Sequence, residues 1–313
     1  MNYLKDYREG EKFVGTYLCK QKQILKTKAG KTYYSLTLQD KTGTADGKIW
    51  ELNNGIANFE PMDYIHCEGM VTSFQGNLQM NISRVRISDE GEYDPADYVP
   101  CTNKDVGEMF SRILKYVASV QNKYLRKILE MYFVENKEFV DAFKKHSAAK
   151  SVHHGFMGGL LEHTLSVTDM CQYFAEHYPM IHRDLLITAA LFHDMGKIQE
   201  ISDFPMNDYT DDGQLLGHIY IGARCMENAA AQIPNFPPKL KNELVHCILA
   251  HHGKMEFGSP KVPAIMEAMA LHMADNADAK LQTLTEVFQA GDNMGWLGFN
   301  RMFESNLRKT SEE

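Results

Sequence analysis

The pattern of hydrophobic and polar positions changes once along the chain, close to residue 88. Before that point, short segments rich in β-branched and aromatic residues are separated by turn signals such as KAGK, DKTG and NNG. Such segments are typical of strands, and five of them at this spacing predict a small closed or partly open β-barrel. The first predicted domain therefore covers residues 1–88.

Alternation within two of these segments also predicts which side chains enter the barrel core. The residues expected to point inward are Tyr34, Leu36, Leu38, Leu78, Met80 and Ile82. Their neighbours Tyr33 and Gln79 would then point outward. The alternation slips by one position at Val85 and Ile87, which indicates a bulge or a bend in the last strand.

Helical periodicity dominates the rest of the chain, from Val106 onward. Residues 89–104 are acidic, contain two prolines and show no period, so we expect a linker there. Residues 105–150 are predicted to be a helical lead-in, residues 151–290 an all-α domain, and residues 291–313 a polar tail that frays towards its end. Helices are expected near residues 136–146, 159–177, 183–195, 217–231, 239–251, 262–280 and 281–290. The fold class is therefore multidomain, a β-barrel followed by an all-α domain.

Charge is divided unevenly between these two parts. The chain has 313 residues and a formal net charge of −8 at pH 7. Residues 1–88 carry 12 Lys and Arg against 9 Asp and Glu, whereas the remainder carries 21 against 32. A mildly basic barrel is suited to a polyanion, and bound divalent cations would offset part of the acidic excess elsewhere.

The chain shows no signal for export or membrane insertion. The segment MNYLKDYREGEKF lacks the apolar core of a signal peptide, and the run LLITAALF is too short to cross a bilayer. The six cysteines form no CxxC pair and are typical of free thiols. We therefore expect a cytoplasmic protein with no membrane partner, and the sequence leaves a homo-oligomer open.

Histidines and aspartates recur at helix ends and on apolar helix faces. They are His163, the pair His193-Asp194, His218, the pair His251-His252, and Asp275. Imidazole and carboxylate groups in such places cost free energy unless something satisfies them, and a divalent metal does so. The set has enough ligands for two ions that share one aspartate. Mixed nitrogen and oxygen ligands favour Mn²⁺, Fe²⁺, Co²⁺ or Zn²⁺ over Mg²⁺ and Ca²⁺, which prefer sites made of oxygen ligands alone. Mg²⁺ is kept as a further alternative.

A single histidine is more often structural than a metal ligand, and that interpretation applies to His66, His177, His182 and His272. Five ordered positions at helix ends and apolar faces are much harder to explain in that way. The sequence contains no P-loop, nucleophile elbow or GxGxxG, so ATP use and serine hydrolase chemistry have no support.

The spaced H…HD…D pattern around HDMGK resembles the HD-domain phosphohydrolase superfamily. Its members are helical, bind divalent metals and mostly hydrolyse phosphate esters. Carried over to this sequence, the resemblance implies a first ion held by His163, His193, Asp194 and Asp275, and a second held by His218, His251 and the bridging Asp194. Which of His251 and His252 is the ligand stays open, and His252 is otherwise assigned to substrate contact.

A barrel followed by a helical HD domain of this length resembles the YhaM-type 3′→5′ exoribonucleases of Gram-positive bacteria. The motifs that carry the likeness are LxDKTG and GKIW in the barrel, then GGLLEHT, HDMGK and HHG. That family has an OB-fold amino terminus, prefers Mn²⁺, and acts on single-stranded RNA and in some members DNA. The resemblance therefore implies an OB-type barrel and a nuclease.

Three residues near the predicted ligands are further candidates for chemistry. Lys197 lies three residues after Asp194 and could neutralise a phosphate oxygen, with a solvated helix-capping lysine as the alternative. His154 could contact the scissile phosphate or could simply start a helix. Arg224 could grip a phosphate with its guanidinium, although a surface ion pair explains it slightly better.

In the barrel, the predicted contacts for nucleic acid are Tyr33, Lys48, Trp50, Phe74 and Gln79. If Ile49 points inward, Trp50 points outward, where an indole can stack on a base. An aromatic side chain in a small barrel is nevertheless more often part of the core.

These observations predict a metal-dependent 3′→5′ exoribonuclease that cuts single-stranded RNA to nucleoside 5′-monophosphates. Asp194, Lys197 and His154 are the predicted catalytic residues. One alternative is an HD-domain nucleotide or cyclic-nucleotide phosphohydrolase, which would not need the barrel. The other is a non-catalytic single-strand-binding protein, which would not need the complete ligand set.

Overall fold

The computed structural model describes residues 3–74, 76–150, 154–290 and 295–311. Its contacts divide the chain into two units, and each is described by itself. The first consists of Met1–Cys101 with Phe204–Met206, and the second of Thr102–Asp203 with Asn207–Glu313.

The first unit is built on five strands that close into a barrel. They are β1 (Lys12–Lys26), β2 (Thr32–Asp40), β3 (Gly43–Ile49), β4 (Tyr64–Phe74) and β5 (Asn77–Ile87). The order around the barrel is β1-β2-β3-β5-β4, with β4 pairing back onto β1 and β3 running parallel to β5. A closed five-stranded barrel with this crossover is an OB-fold, which confirms the predicted fold class.

Most of the predicted barrel core is correct. Leu36, Leu38, Met80 and Ile82 are buried. Leu78 is an exception, because it lies at the start of β5 and is 45% exposed. The predicted irregularity in β5 is confirmed, since Ile82 pairs with Gly69 and Arg84 with Glu68, which leaves Ser83 as an extra residue between them.

The predicted linker is wrong over most of its length. Gln39 on β2 donates a hydrogen bond to the carbonyl of Tyr98, and Lys41 donates its backbone N–H to the carbonyl of Asp97. Tyr93 stacks on Tyr64 of β4 at 4.1 Å between ring centres, and Tyr98 is buried against both. These aromatic contacts attach the segment to the barrel, although its composition is that of a loop.

The second unit is helical. Its helices are α1 (Val106–Ser119), α2 (Lys123–Glu130), α3 (Lys137–Lys145), α4 (Gly159–His177), α5 (Arg183–Phe192), α6 (Lys197–Glu200), α7 (Asp211–Ala231), α8 (Pro238–Ala250) and α9 (Met266–Ala290), with a π-helical turn at Met131–Glu135. One buried apolar cluster includes residues from α1 through α9, so the predicted lead-in and the predicted all-α domain share a core.

Three predicted helix boundaries differ from the structure. Helix α5 ends at Phe192, α7 begins at Asp211, and α9 begins at Met266, four residues later than predicted, and is one helix where two were predicted. Helix α7 contains a kink at Gly217, whose φ of 72° is outside the helical range. The polar tail is also not simply frayed, because β6 (Trp296–Asn300) and β7 (Ser305–Arg308) form an antiparallel hairpin. Among the described residues, no helix is both long and apolar enough to span a bilayer.

Candidate metal centre

The ends and faces of five helices bring the predicted ligands together in the second unit. His163 lies on α4, His193 and Asp194 follow the end of α5, and His218 lies just past the kink in α7. His251 follows the end of α8, and Asp275 lies on α9. Their side chains are buried or nearly so, although more than 110 residues separate the first from the last.

Four of these side chains form a first cluster around His163. Its Nε2 atom lies 3.1 Å from Nε2 of His193, 3.4 Å from Oδ2 of Asp194 and 3.2 Å from Oδ1 of Asp275. Donor atoms bound to one ion at about 2.0–2.2 Å are separated from each other by about 3.0–3.5 Å. The spacing of this cluster therefore fits a single divalent ion.

A second cluster lies on the other oxygen of Asp194. Its Oδ1 atom is 3.5 Å from Nε2 of His218 and 3.6 Å from Nε2 of His251. All three atoms are buried, and none has a hydrogen-bond partner among the described residues. Unsatisfied buried polar atoms are rare, and three that converge on one point are the donor set that a second metal would satisfy.

Hydrogen bonds on the opposite side of each ring explain why all four Nε2 atoms face inward. Nδ1 of His193 donates to the carbonyl of Ala190 and Nδ1 of His251 to that of Ile248, both at 2.7 Å. Because a carbonyl only accepts, these two rings carry their protons on Nδ1 and direct the Nε2 lone pair at the centre. Rings oriented in this way are ready to bind a metal.

The other two rings are held by carboxylates that sequence reasoning missed. Nδ1 of His163 donates to Asp278 at 2.7 Å, and Nδ1 of His218 donates to Glu200 at 2.9 Å. Asp278 lies three residues after Asp275 on α9, so helical spacing from a ligand was an available signal. Glu200 had none, because the kink in α7 brings His218 to it.

The charges of the cluster suit a divalent cation. Burial lowers the pKa of His193 to about 4, so this ring is neutral at pH 7. Burial alone would raise the pKa of Asp194, but Lys197 and the neighbouring histidines hold it well below its usual range. At His163, burial alone would lower the pKa, but hydrogen bonds to Asp194, Asp275 and Asp278 outweigh it and raise the pKa well above the ordinary value, so a divalent ion would bind this ring in exchange for a proton.

Glycines allow two backbone segments to approach the centre. A Cβ atom on Gly196 would lie 2.1 Å from the carbonyl oxygen of His218. Gly196 is the residue before α6, and its missing side chain makes room for the backbone of His218. The kink at Gly217 then turns His218 toward Glu200, whose Oε1 accepts from both the backbone N–H and Nδ1 of His218.

The structure places the other candidates at different depths. Nζ of Lys197 is 2.6 Å from Oδ2 of Asp194, with the lysine side chain 12% exposed. His252 is half-buried beside His218 and His251, and donates to the carbonyl of Phe257. His154 is 2% exposed and forms a hydrogen bond with Asp278, so it lies behind His163. This position differs from the phosphate contact predicted for it. Arg224 lies over the ring of Tyr220 on its own helix.

In the first unit, four of the five predicted barrel contacts share one outer face. Tyr33 and Trp50 stack at 4.6 Å between ring centres, and the indole of Trp50 is 40% exposed. Lys48 and Gln79 both contact the carboxylate of Asp46, at 2.5 Å and 2.6 Å. The indole N–H donates to Asn81, which lies beside Lys48 in the β3–β5 register.

Phe74 completes this face at the end of β4. It is 62% exposed and lies two residues beyond Thr72, which pairs with Gln79. Gln79 itself is only 8% exposed because Asp46 covers its amide. The face therefore combines exposed rings with hydrogen-bonding groups, and Asp46 neutralises the charge of Lys48.

Removal of the Glu200 carboxylate should weaken one metal site and spare the other. Glu200→Gln replaces the charged acceptor behind His218, and loss of such a partner lowers metal affinity about 10–100-fold. Calorimetric titration with Mn²⁺ should show one of two binding events weakened. Glu256→Gln, whose side chain is 66% exposed, is the matched control and should bind both ions as the unaltered protein does. Two unchanged affinities in the Glu200 variant would contradict this assignment.

Comparison with known proteins agrees with the geometry. The HD domain family matches residues 160–280, the region that contributes every candidate ligand. Proteins named 3′-5′ exoribonuclease YhaM are similar over most of their length. The one from Geobacillus sp. is 32% identical over 83% of this chain and 80% of its own. The one from Bacillus subtilis is 31% identical over 83% and 82%, and that from Listeria innocua is 32% identical over 91% of both.

Among solved structures, the second OB-fold domain of replication protein A from Methanococcus maripaludis is 20% identical over 29% of this chain and 98% of its own. Its TM-score of 0.24 is too low to bear on the fold, which rests on the strand order above. The extent and identity of the sequence matches are decisive: the chain belongs to the YhaM family of 3′-5′ exoribonucleases.

Proposed function

We propose that this protein is a metal-dependent 3′→5′ exoribonuclease that degrades single-stranded RNA to nucleoside 5′-monophosphates. The observation that carries the proposal is the convergence of two donor clusters on the two oxygens of Asp194. Paired divalent ions are suited to phosphodiester hydrolysis, because they lower the pKa of a water and neutralise developing negative charge. Mn²⁺ is the proposed native ion, in keeping with the mixed nitrogen and oxygen ligands.

The residues would divide the work as follows. His163, His193, Asp194 and Asp275 would hold one ion, and Asp194, His218 and His251 the other. Lys197 fixes Asp194 through its contact with Oδ2 and would oppose phosphate charge next to it. His154 and Asp278 would support His163 from behind, so we assign His154 a positioning role. His252 and Arg224 remain proposed substrate contacts.

The barrel would collect the RNA strand. Trp50, stacked on Tyr33, offers an exposed ring to a base, and Asn81 offers an amide, whereas Gln79 would act by holding Asp46 in place. Because Asp46 neutralises Lys48, this face would bind by stacking and hydrogen bonding more than by phosphate attraction. Single-stranded DNA offers the same bases and is the substrate to compare with RNA.

Trp50→Ala should weaken RNA binding by about 5-fold or more, since stacking on one aromatic side chain contributes ~1–3 kcal/mol per base. Fluorescence anisotropy of a labelled oligoribonucleotide in EDTA measures the affinity without cleavage. Val14→Ala removes an exposed apolar side chain elsewhere on the barrel and is the matched control. Equal affinities for the two variants would remove Trp50 from the binding face.

The activity itself is tested with 5′-labelled single-stranded RNA and Mn²⁺. A ladder of products that shortens from the 3′ end, with 5′-monophosphates released, is the expected result. Intact RNA alongside hydrolysed nucleotides would replace the proposal with a nucleotide phosphohydrolase. RNA binding without any cleavage would indicate a single-strand-binding protein.

A further inference from the structure

The hairpin of β6 and β7 exposes two large aromatic side chains that the metal centre and the barrel do not use. Trp296 is 65% exposed and Phe299 is 66% exposed. Neither belongs to the buried apolar clusters among the described residues. An isolated two-stranded hairpin is only marginally stable in water, and exposed apolar patches often mark binding sites. We therefore expect these two rings to contact a ligand.

A bulge places both rings on one face of the hairpin. Residues three apart on a regular strand point to opposite faces. Here Trp296 pairs with Arg308, Gly298 with Leu307, and Phe299 with Asn306, so Leu297 and Gly298 together oppose one residue of β7. Gly298 has a φ of 90°, a value that favours glycine in such a bulge. The extra residue restores Trp296 and Phe299 to the same side.

The chemistry of this face is that of a surface for unpaired bases. The guanidinium carbon of Arg308 lies 6.0 Å from the ring centre of Trp296, and Asn306 pairs with Phe299. Four side chains, two aromatic, one cationic and one amide, therefore share the face, and the described residues of the two strands include no carboxylate. Rings with an adjacent arginine are the usual platform for single-stranded nucleic acid, because every base has a face to stack.

The size of the face argues against a second copy of the chain as the occupant. A large aromatic side chain buries about 150–250 Å² at most, so two of them offer about 300–500 Å². A stable protein interface needs about 800 Å² from each partner. Each base of a single strand needs only one ring to stack on, so Trp296 and Phe299 could hold two bases.

We propose that Trp296 and Phe299 form a second stacking platform for single-stranded nucleic acid, in addition to the Trp50 face of the barrel. The proposal rests on the proposed function, because it assigns this surface to the same substrate. It assigns binding to a C-terminal segment whose polar composition had predicted a frayed tail.

Tryptophan fluorescence can test the two faces separately, because the chain has only two tryptophans. In full-length W50F protein with EDTA, titration with a 20-nucleotide oligoadenylate should change the emission of Trp296. The signal should saturate at the same RNA concentration as that of Trp50 in the W296F protein. An unchanged Trp296 emission, while Trp50 responds and the unaltered protein degrades RNA, would overturn the platform and leave the exoribonuclease proposal intact.

A double variant gives the second measurement. Trp296→Ala with Phe299→Ala should lower RNA affinity by about 5-fold or more. Met302→Ala, 49% exposed in the same hairpin, is the control and should retain affinity. Full affinity in the double variant would overturn the proposal, and an accompanying loss of oligomer in light scattering would identify a second copy as the occupant. If neither tryptophan responds and no RNA is degraded, the proposed function itself fails.

Discussion

The Asp194→Asn variant should lose RNA hydrolysis by ~10³-fold or more, the size of loss typical when a central catalytic group is removed. Asparagine keeps the shape of the side chain but replaces one of its two anionic oxygens by an amide nitrogen. Asp194 contributes Oδ2 to one donor cluster and Oδ1 to the other, so one ion would lose its oxygen ligand and the other would keep only a neutral amide oxygen. Product release from 5′-labelled RNA, measured under single-turnover conditions with Mn²⁺, gives the rate.

The same variant predicts a result that does not depend on activity. Metal content after dialysis should fall from two ions per chain, because the bridging carboxylate no longer holds either cluster together. Asp203→Asn is the matched control, since its side chain is 89% exposed, and should retain both rate and metal content. A variant with two bound ions and an unaltered rate would show that Asp194 does not bridge.

Gly196→Ala should damage both stability and catalysis. The added methyl group would lie 2.1 Å from the carbonyl oxygen and 2.8 Å from the carbonyl carbon of His218. Backbone atoms cannot move aside as a flexible side chain does, so we expect a loss of about 1–3 kcal/mol in the free energy of unfolding. Displacement of His218 from Asp194 should also weaken metal binding and lower the rate at least about 10-fold.

Gly222→Ala, on the same helix as His218, distinguishes crowding from a general effect of glycine replacement. A Cβ atom there would meet Cγ2 of Ile248 at 3.4 Å, an ordinary contact. Because alanine favours the helix, this variant should be more stable by about 0.5–1 kcal/mol. Urea denaturation of both variants measures the two changes. Equal destabilisation of the two variants would show that crowding against the backbone of His218 does not account for the effect of Gly196→Ala.

The candidate ligands could be predicted from the sequence because their spacing and their apolar neighbours are local signals. An imidazole at the end of an apolar helix, as at His193, stands out without any knowledge of the fold. The supporting carboxylates could not be predicted equally well. Glu200 precedes His218 by 18 residues, and its contact depends on the kink at Gly217, whose φ the pattern does not reveal.

In the barrel, too, the sequence predicted local features of each strand but not the contacts between distant strands. Alternation located Leu36 and Met80 in the core, because period-two burial is a property of each strand alone. It placed Leu78 in the core as well, because the pattern does not show where neighbouring strands stop covering a residue. Pairing of Lys48 and Gln79 through Asp46 required the parallel β3–β5 register, a relation between strands distant in sequence.

The sequence by itself determined the two-part architecture, the positions of the candidate ligands and the resemblance to an exonuclease family. These follow from periodicity and residue type, which are readable along the chain. Only the tertiary structure decided that the two oxygens of Asp194 face separate donor clusters, that His154 lies behind the site, and that a bulge aligns Trp296 with Phe299. Each of these depends on distances between segments and on backbone angles, and local composition does not encode either.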